Sequence, residues 1–228
     1  MLGGMPLLGD WSYILSREKI QRIIIWGTDR SRMDELTLEK TILYFEVGGT
    51  TCTNQTLEAA AKRAGELGIK DVVIASTHGG TALKAADAFG MLKANLVAVS
   101  ICEAYSGEGW TMTEAERKKL VGRGVKVLTS LHALGDGVGN SFTEKFGGKS
   151  IEEIVQQTLY RFSQGMKVCV EIVLMAADAG LVSMDKEVMA IGGTGGGCDT
   201  CIVVKPSYAR KFLELEIREI VTKPRNLS

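Results

Sequence analysis

Two glycine-bearing stretches hold the residue types that could do chemistry. The first is Val72 to Leu83, VVIASTHGGTAL, where a β-branched run enters Ser76-Thr77-His78-Gly79-Gly80-Thr81 and leaves through the helical spacing of Ala82, Leu83, Ala85 and Ala86. A strand, a small-residue loop and a helix start, in that order, gather unpaired backbone N–H groups and the positive end of a helix dipole around one point. Such a point favours a phosphate, and Gly79 and Gly80 let the backbone come close to it. Ordinary strand-to-helix turns use the same residues, so this loop alone does not decide between the two roles. The second stretch, Gly192 to Gly197, reads GGTGGG and is the most glycine-dense in the chain. Successive N–H groups from Gly193, Thr194, Gly195 and Gly196 would form a nest suited to an oxyanion. It is not a Rossmann fingerprint, because no helix is expected after it, nor a Walker loop, because Gly-Lys-Ser/Thr is missing. A flexible hairpin connection is the plain alternative.

The titratable candidates are few. His78 and His132 are the only histidines. Both fall in expected loops, where they could touch a phosphate, carry a proton or simply be solvated. Glu171 is embedded in VCVEIVLM, seven residues before Asp178. An acid buried there must be paired or hydrogen-bonded, so it is an active-site group or, the favoured reading, the acceptor for a sheet-edge donor. Cys198 and Cys201 form a C-x-x-C with no second pair and no histidine close by. That argues against zinc, and because the motif enters an expected strand it reads as buried, incidental thiols.

The elements that must position these residues alternate. Thr41 to Glu46 reads as a strand, followed by Gly48-Gly49-Thr50-Thr51 and a helix from Thr53 to Leu67, capped by Thr53 or Asn54 and closed by Gly68. Val72 to Ala75, Ala94 to Ile101 and Val125 to Leu128 are the next strands. Thr113 with Glu116 and Ser150 with Glu153 are capping boxes, opening helices to about Arg123 and Phe162. The second should turn Ile151, Ile154, Val155 and Leu159 inward. Met166 to Leu181 is apolar nearly all round and is expected to be a core helix. Glu187 to Ile191 and Thr200 to Val204 flank the GGTGGG loop as antiparallel partners, with Pro206 ending the second, and a helix or a strand follows near Ala209 to Val221. The pattern predicts a three-layer α/β protein with a mostly parallel sheet. Open sheets of this class bind ligands outside the carboxyl ends of their strands. That edge collects Glu46 to Asn54, Ser76 to Thr81, Cys102 to Trp110, Thr129 to Gly137 and Gly192 to Gly197.

Bulk properties narrow the partners. Twenty-seven basic residues balance twenty-seven acidic ones over 228 residues, so neither nucleic acid nor an anionic membrane is expected. The longest apolar run, Ile172 to Ala177, falls far short of the roughly 20 residues a spanning helix takes. Charged residues near the N-terminus argue against a secretory signal, so a cytoplasmic protein with reduced thiols is expected. Residues 1 to 33 read as an N-terminal extension without chemistry, or as a partner-docking segment using Trp11, Tyr13 and Trp26; the domain proper is 34 to 228. The oligomeric state is open, a homo-oligomer included.

The run from Leu57 through IKDVVIASTHGGTA, the closing EVMAIGGTGGGCDTCIVVKP, and GVKVLTSLHAL, GMKVCVEIVLMAADAGL and EIREIVTKPRN together resemble the C-terminal α/β domain of pyruvate kinase, and more closely its stand-alone prokaryotic relatives. The resemblance covers about Thr41 to Asn226, and departs where this chain has Cys198 and Cys201 in place of small non-thiol residues. It implies a three-layer α/β/α sandwich with a mixed sheet of order 3-2-1-4-5, strand 5 antiparallel, to which this chain adds an N-terminal strand. Val72 to Ser76, Val188 to Gly192 and Cys201 to Lys205 would be strands 1, 4 and 5. It further implies a phosphorylated small molecule between the STHGGT and GGTGGG loops. In the stand-alone relatives that ligand would be FMN, with Ser76, Thr77, Gly79, Gly80, Thr81 and Gly193 to Gly196 on the phosphate and the ring toward Glu46, Asn54, His132 and Glu171. The protein could then be a flavin-dependent enzyme. In pyruvate kinases the same loops hold the phosphates of an allosteric sugar bisphosphate, which implies a regulatory sensor instead. Pyruvate kinase activity itself belongs to a TIM barrel and is not expected here.

Overall fold

A computed structural model describes residues 37–227. The chain divides into two units, Met1–Thr41 and Ile42–Ser228, and the second carries every element given below. The readings of residues 1 to 33 lie outside the described residues.

Seven strands form one sheet: β1 (Leu43–Phe45), β2 (Asp71–Ala75), β3 (Asn95–Ser100), β4 (Lys126–Thr129), β5 (Val188–Gly192), β6 (Thr200–Lys205) and β7 (Glu216–Pro224). Their order is β1-β7-β6-β5-β2-β3-β4. The expected 3-2-1-4-5 runs through it as β4-β3-β2-β5-β6, and two further strands extend that edge. Strand β6 pairs antiparallel with both neighbours, while the β1–β7, β2–β3, β2–β5 and β3–β4 pairs are parallel. All strands except β6 therefore point the same way. The C-terminal segment that the sequence leaves open resolves into a short 3-10 turn, Ala209–Glu214, and strand β7.

The period of two in the central strands explains the layers. Val72 and Ile74 of β2 pack with α1 (Thr53–Leu67), α2 (Gly80–Ala88) and α3 (Glu114–Gly122), through Leu57, Ala60, Ala85 and Leu120. Val73 faces the other way, against α6 (Gln164–Asp178), whose residues Gly165, Met166, Lys167 and Cys169 to Ala177 are all buried. Gly165 is obligatory at that crossing, because a Cβ there would lie 2.3 Å from Thr200 Oγ1.

Both capping boxes are present, at α3 and at α5 (Ile151–Leu159). Three local expectations need correction. Helix α1 is preceded by Cys52 as N-cap, without a side-chain cap, because the Thr53 hydroxyl donates to the Thr50 carbonyl instead. On α5 only Val155 and Leu159 pack inward; Ile151 and Ile154 are exposed, since the helix lies on the outside of α6 and meets it along one narrow stripe. An unexpected helix, α4 (Val138–Phe146), follows the long loop after β4 and begins at Gly137 without a side-chain cap. Among the described residues no helix is long and apolar enough to cross a membrane.

Candidate functional site

The STHGGT loop folds as a strand-to-helix turn. Ser76 N–H donates to Val99 O at 2.9 Å, continuing the β2–β3 pairing by one residue. Its side chain then turns back, and Ser76 Oγ accepts from Ala82 N–H at 3.2 Å. Gly79 caps the helix with φ +80°, a left-handed conformation that glycine adopts without steric cost. Ser76 thus satisfies the third N–H of α2, and Gly80 and Thr81 supply the first two donors.

The GGTGGG loop is organised from behind by Asp199, a fully buried residue. Its Oδ2 accepts from Gly49 N–H (2.8 Å) and Thr194 N–H (3.0 Å), and its Oδ1 accepts from the Thr200 hydroxyl (2.7 Å). The Ser163 and Thr200 hydroxyls lie 3.0 Å apart, and Ser163 Oγ accepts from Met166 N–H, so the start of α6 belongs to the same network. Further along, Cys198 N–H donates to Thr53 Oγ1. The β1–α1 loop is therefore the back wall of the glycine loop.

The two loops bound a cleft of about 470 Å³ whose floor is α6, through Gln164, Lys167, Val168, Glu171 and Ile172. Lys167 Nζ lies 2.6 Å from Glu171 Oε2, with both side chains almost wholly buried. Glu171 Oε1 also accepts from Leu134 N–H at 3.0 Å, which fixes the β4–α4 loop. Glu171 is thus paired as the favoured reading requires, and it also faces the cleft.

Of the residues singled out from the sequence, Ser76, Thr77, Gly80, Thr81, Gly193, Gly195, Gly196, His132 and Glu171 line this cleft, as does His78. Gly79 belongs to the same loop, but a Cβ on it would point at the Leu120 side chain, 3.0 Å away. Thr194 gives its N–H to Asp199 and lines a smaller neighbouring pocket. Glu46 and Asn54 are not brought to the cleft. Asn226 Nδ2 donates to the Glu46 carbonyl and carboxylate, and Asn54 is exposed on α1. The physical reason is the strap through Asp199, which turns the β1–α1 loop onto the rear of the glycine loop. Lys167, Ser100 and Gln164 line the cleft without having been singled out, and Asp199 was passed over between two cysteines. The pairing of Lys167 with Glu171 had a signal, opposite charges at i and i+4 inside an otherwise apolar run.

Cys198 and Cys201 are buried and unbridged. Burial pushes the Cys198 thiol up to about 12 and the Cys201 thiol well above its ordinary value, so neither supplies a thiolate near neutral pH.

The sequence model of the family described as pyruvate kinase, alpha/beta domain, matches residues 54–204. The chain belongs to this family. The matched span holds β2 to β5, most of β6, and both glycine loops. Among solved structures, a pyruvate kinase from Cryptosporidium parvum is similar at 11% identity and a TM-score of 0.35, over 86% of this chain and 27% of that one. This alpha/beta domain chain therefore spans about a quarter of that enzyme's length.

A second cavity, about 580 Å³, adjoins the cleft beneath the β4–α4 loop. His132 lines both spaces. Its Nδ1 lies 2.5 Å from Asp136 Oδ2, and Tyr105 Oη donates to Asp136 Oδ1 at 2.6 Å. Trp110 stacks on Tyr105, with ring centroids 5.7 Å apart. The hydrogen bond to Asp136, with burial second, pushes the Tyr105 phenol up to about 12. Asp136 has φ +62°, a left-handed conformation uncommon outside glycine that aspartate and asparagine adopt more readily than other residues.

Proposed function

We propose that this alpha/beta domain binds a phosphorylated small molecule, FMN being the reading put first, with the phosphate between the STHGGT and GGTGGG loops. The observation that carries the reading is the helix start at Gly80 and Thr81, facing a glycine loop across the cleft above a buried lysine. Two first-turn N–H groups and the α2 dipole favour an anion. A Cβ built on Gly80 meets nothing within 4 Å, so a ligand oxygen can approach that backbone. The cleft volume lies within the roughly 300–1,000 Å³ of small-molecule pockets. Gly80, Thr81, Gly195 and Gly196 would hold the phosphate, Lys167 would offset its charge, and Ser100, His132 and Glu171 would surround the remainder. FMN, when bound, supplies hydride or single-electron transfer. The chain would be cytoplasmic and without pyruvate kinase activity of its own.

One observation favours a second reading, a non-catalytic sensor of a sugar phosphate. Among the described residues no Phe, Tyr or Trp lines the cleft, and these residues offer a flavin ring only the imidazoles of His78 and His132 for aromatic contact. A titration distinguishes the two. Quenching of FMN fluorescence on addition of protein, lost in Gly80→Val, supports the first. Absence of quenching, together with a rise in melting temperature with a sugar bisphosphate, selects the second.

A further inference from the structure

We propose that His132 is a proton-transfer residue, held by Asp136, for a substrate seated in the second cavity rather than in the cleft. Three observations carry it. His132 has a carboxylate on Nδ1, an arrangement that fixes the Nδ1–H tautomer and leaves Nε2 as the acceptor. Asp136 is itself fixed by Tyr105 and by an uncommon backbone conformation. And the ring stands on the wall between two spaces of different chemistry.

Among the described residues no lysine or arginine lines the second cavity. Leu131, Met175 and Ala179 give it an apolar side, while Asn140, Glu152 and Asp178 give it polar and acidic groups. An anion would find no counter-charge there. A neutral or cationic organic molecule with an apolar body fits, such as an alcohol or an amine. The step is a proton transfer alone. The O–H bond of an alcohol, or one N–H bond of an ammonium, breaks, its electron pair stays on the heteroatom, an Nε2–H bond forms, and the Asp136 carboxylate balances the imidazolium. His132 returns the proton in the reverse step, so nothing else is consumed.

The test is acylation of the full chain by diethyl pyrocarbonate, with sites read by mass spectrometry and no cleft ligand added, so that the fate of the FMN reading does not touch it. His78 is the internal reference: its Nδ1 has only a longer carboxylate contact, 3.4 Å to Glu116 Oε2, and its side chain is 48% exposed against 24% for His132. The expectation is faster modification of His132 despite its lower exposure. Asp136→Asn should slow it by about tenfold, the rate equivalent of roughly 1.4 kcal/mol, leave His78 unchanged, and keep the fold because asparagine tolerates positive φ. Benzylamine should protect His132, whereas inorganic phosphate should not. Nitrogen-15 spectra of the unmodified protein should place the ring proton on Nδ1. Slower modification of His132 than of His78, indifference to Asp136→Asn, protection by phosphate in place of benzylamine, or an Nε2–H tautomer would each overturn the proposal.

Discussion

The two glycine loops that face each other across the cleft reach similar openness by opposite means. STHGGT is a strand-to-helix turn whose groups are satisfied locally: Ser76 caps Ala82 six residues on, and Gly79 absorbs the one left-handed turn. GGTGGG closes on itself through Asp199 N–H to Gly192 O, Gly196 N–H to Thr194 O and Thr194 N–H to Asp199 Oδ2, and is also held from a distance, by Asp199 to Gly49 and by Thr53 to Cys198, contacts spanning 150 and 145 residues. The first loop is specified by its own sequence, the second by its own sequence together with the assembled fold. Damage to the first should therefore read mainly as lost binding, and damage to the support of the second as lost stability.

The contrast is tested most severely at Asp199. Asp199→Ala removes the acceptor shared by two part-buried backbone donors and the buried Thr200 hydroxyl, and should cost about 3 kcal/mol in urea unfolding. A loss under about 1 kcal/mol would mean that the strap is incidental. Next comes Lys167→Met, which leaves Glu171 charged and buried beside Leu134. About 3 kcal/mol should be lost in the same measurement. The STHGGT loop separates its own two glycines. Gly79→Ala meets both positive φ and Leu120 and should cost about 1–2 kcal/mol. Gly80→Val, in open space, should stay within about 0.5 kcal/mol of the parent while weakening FMN binding by about tenfold or more, roughly 1.4 kcal/mol. Equal affinity in Gly80→Val would reduce the loop to a turn.

The smallest effect is spectroscopic. Because the Tyr105 phenol is raised to about 12 from an ordinary 10, its neutral form is favoured in the fold. The stabilisation is complete below pH 10 and is lost as pH rises through 12. Alkaline titration at 295 nm should contain a late step that Tyr105→Phe removes.

Much of this was legible in sequence where the cause is local. Capping boxes at Thr113 and Ser150, the left-handed Gly68 that ends α1, and the alternation of strands with helices are settled by residues a few positions apart. The strand-to-helix turn at Ser76 to Thr81 is of the same kind. What was not legible depends on distant partners. Nothing near Glu46 or Asn54 says that the loop between them will be turned behind Gly193 to Gly197, since the residue that turns it is Asp199. Ile151 and Ile154 carry helical periodicity, but the periodicity does not tell how wide a stripe α6 will cover. Helix α4 lacks a capping side chain and contains Gly139, Asn140, Ser141 and Thr143, poor helix formers that it nevertheless accommodates.

Strand β6 alone runs against the rest of the sheet, and this gives the cleft two kinds of wall. One comes from a crossover, whose Ser76 and Gly79 cannot change without disturbing the end of β2 or the entry of α2. The other is the tip of a hairpin, where Gly193 and Gly197 leave no room for a side chain but Gly195 and Gly196 are exposed, with β5 and β6 paired behind it. Sequence change within such a scaffold would then be expected to accumulate at Gly195 and Gly196, with Ser76 and Gly79 as the constant points of the opposite wall.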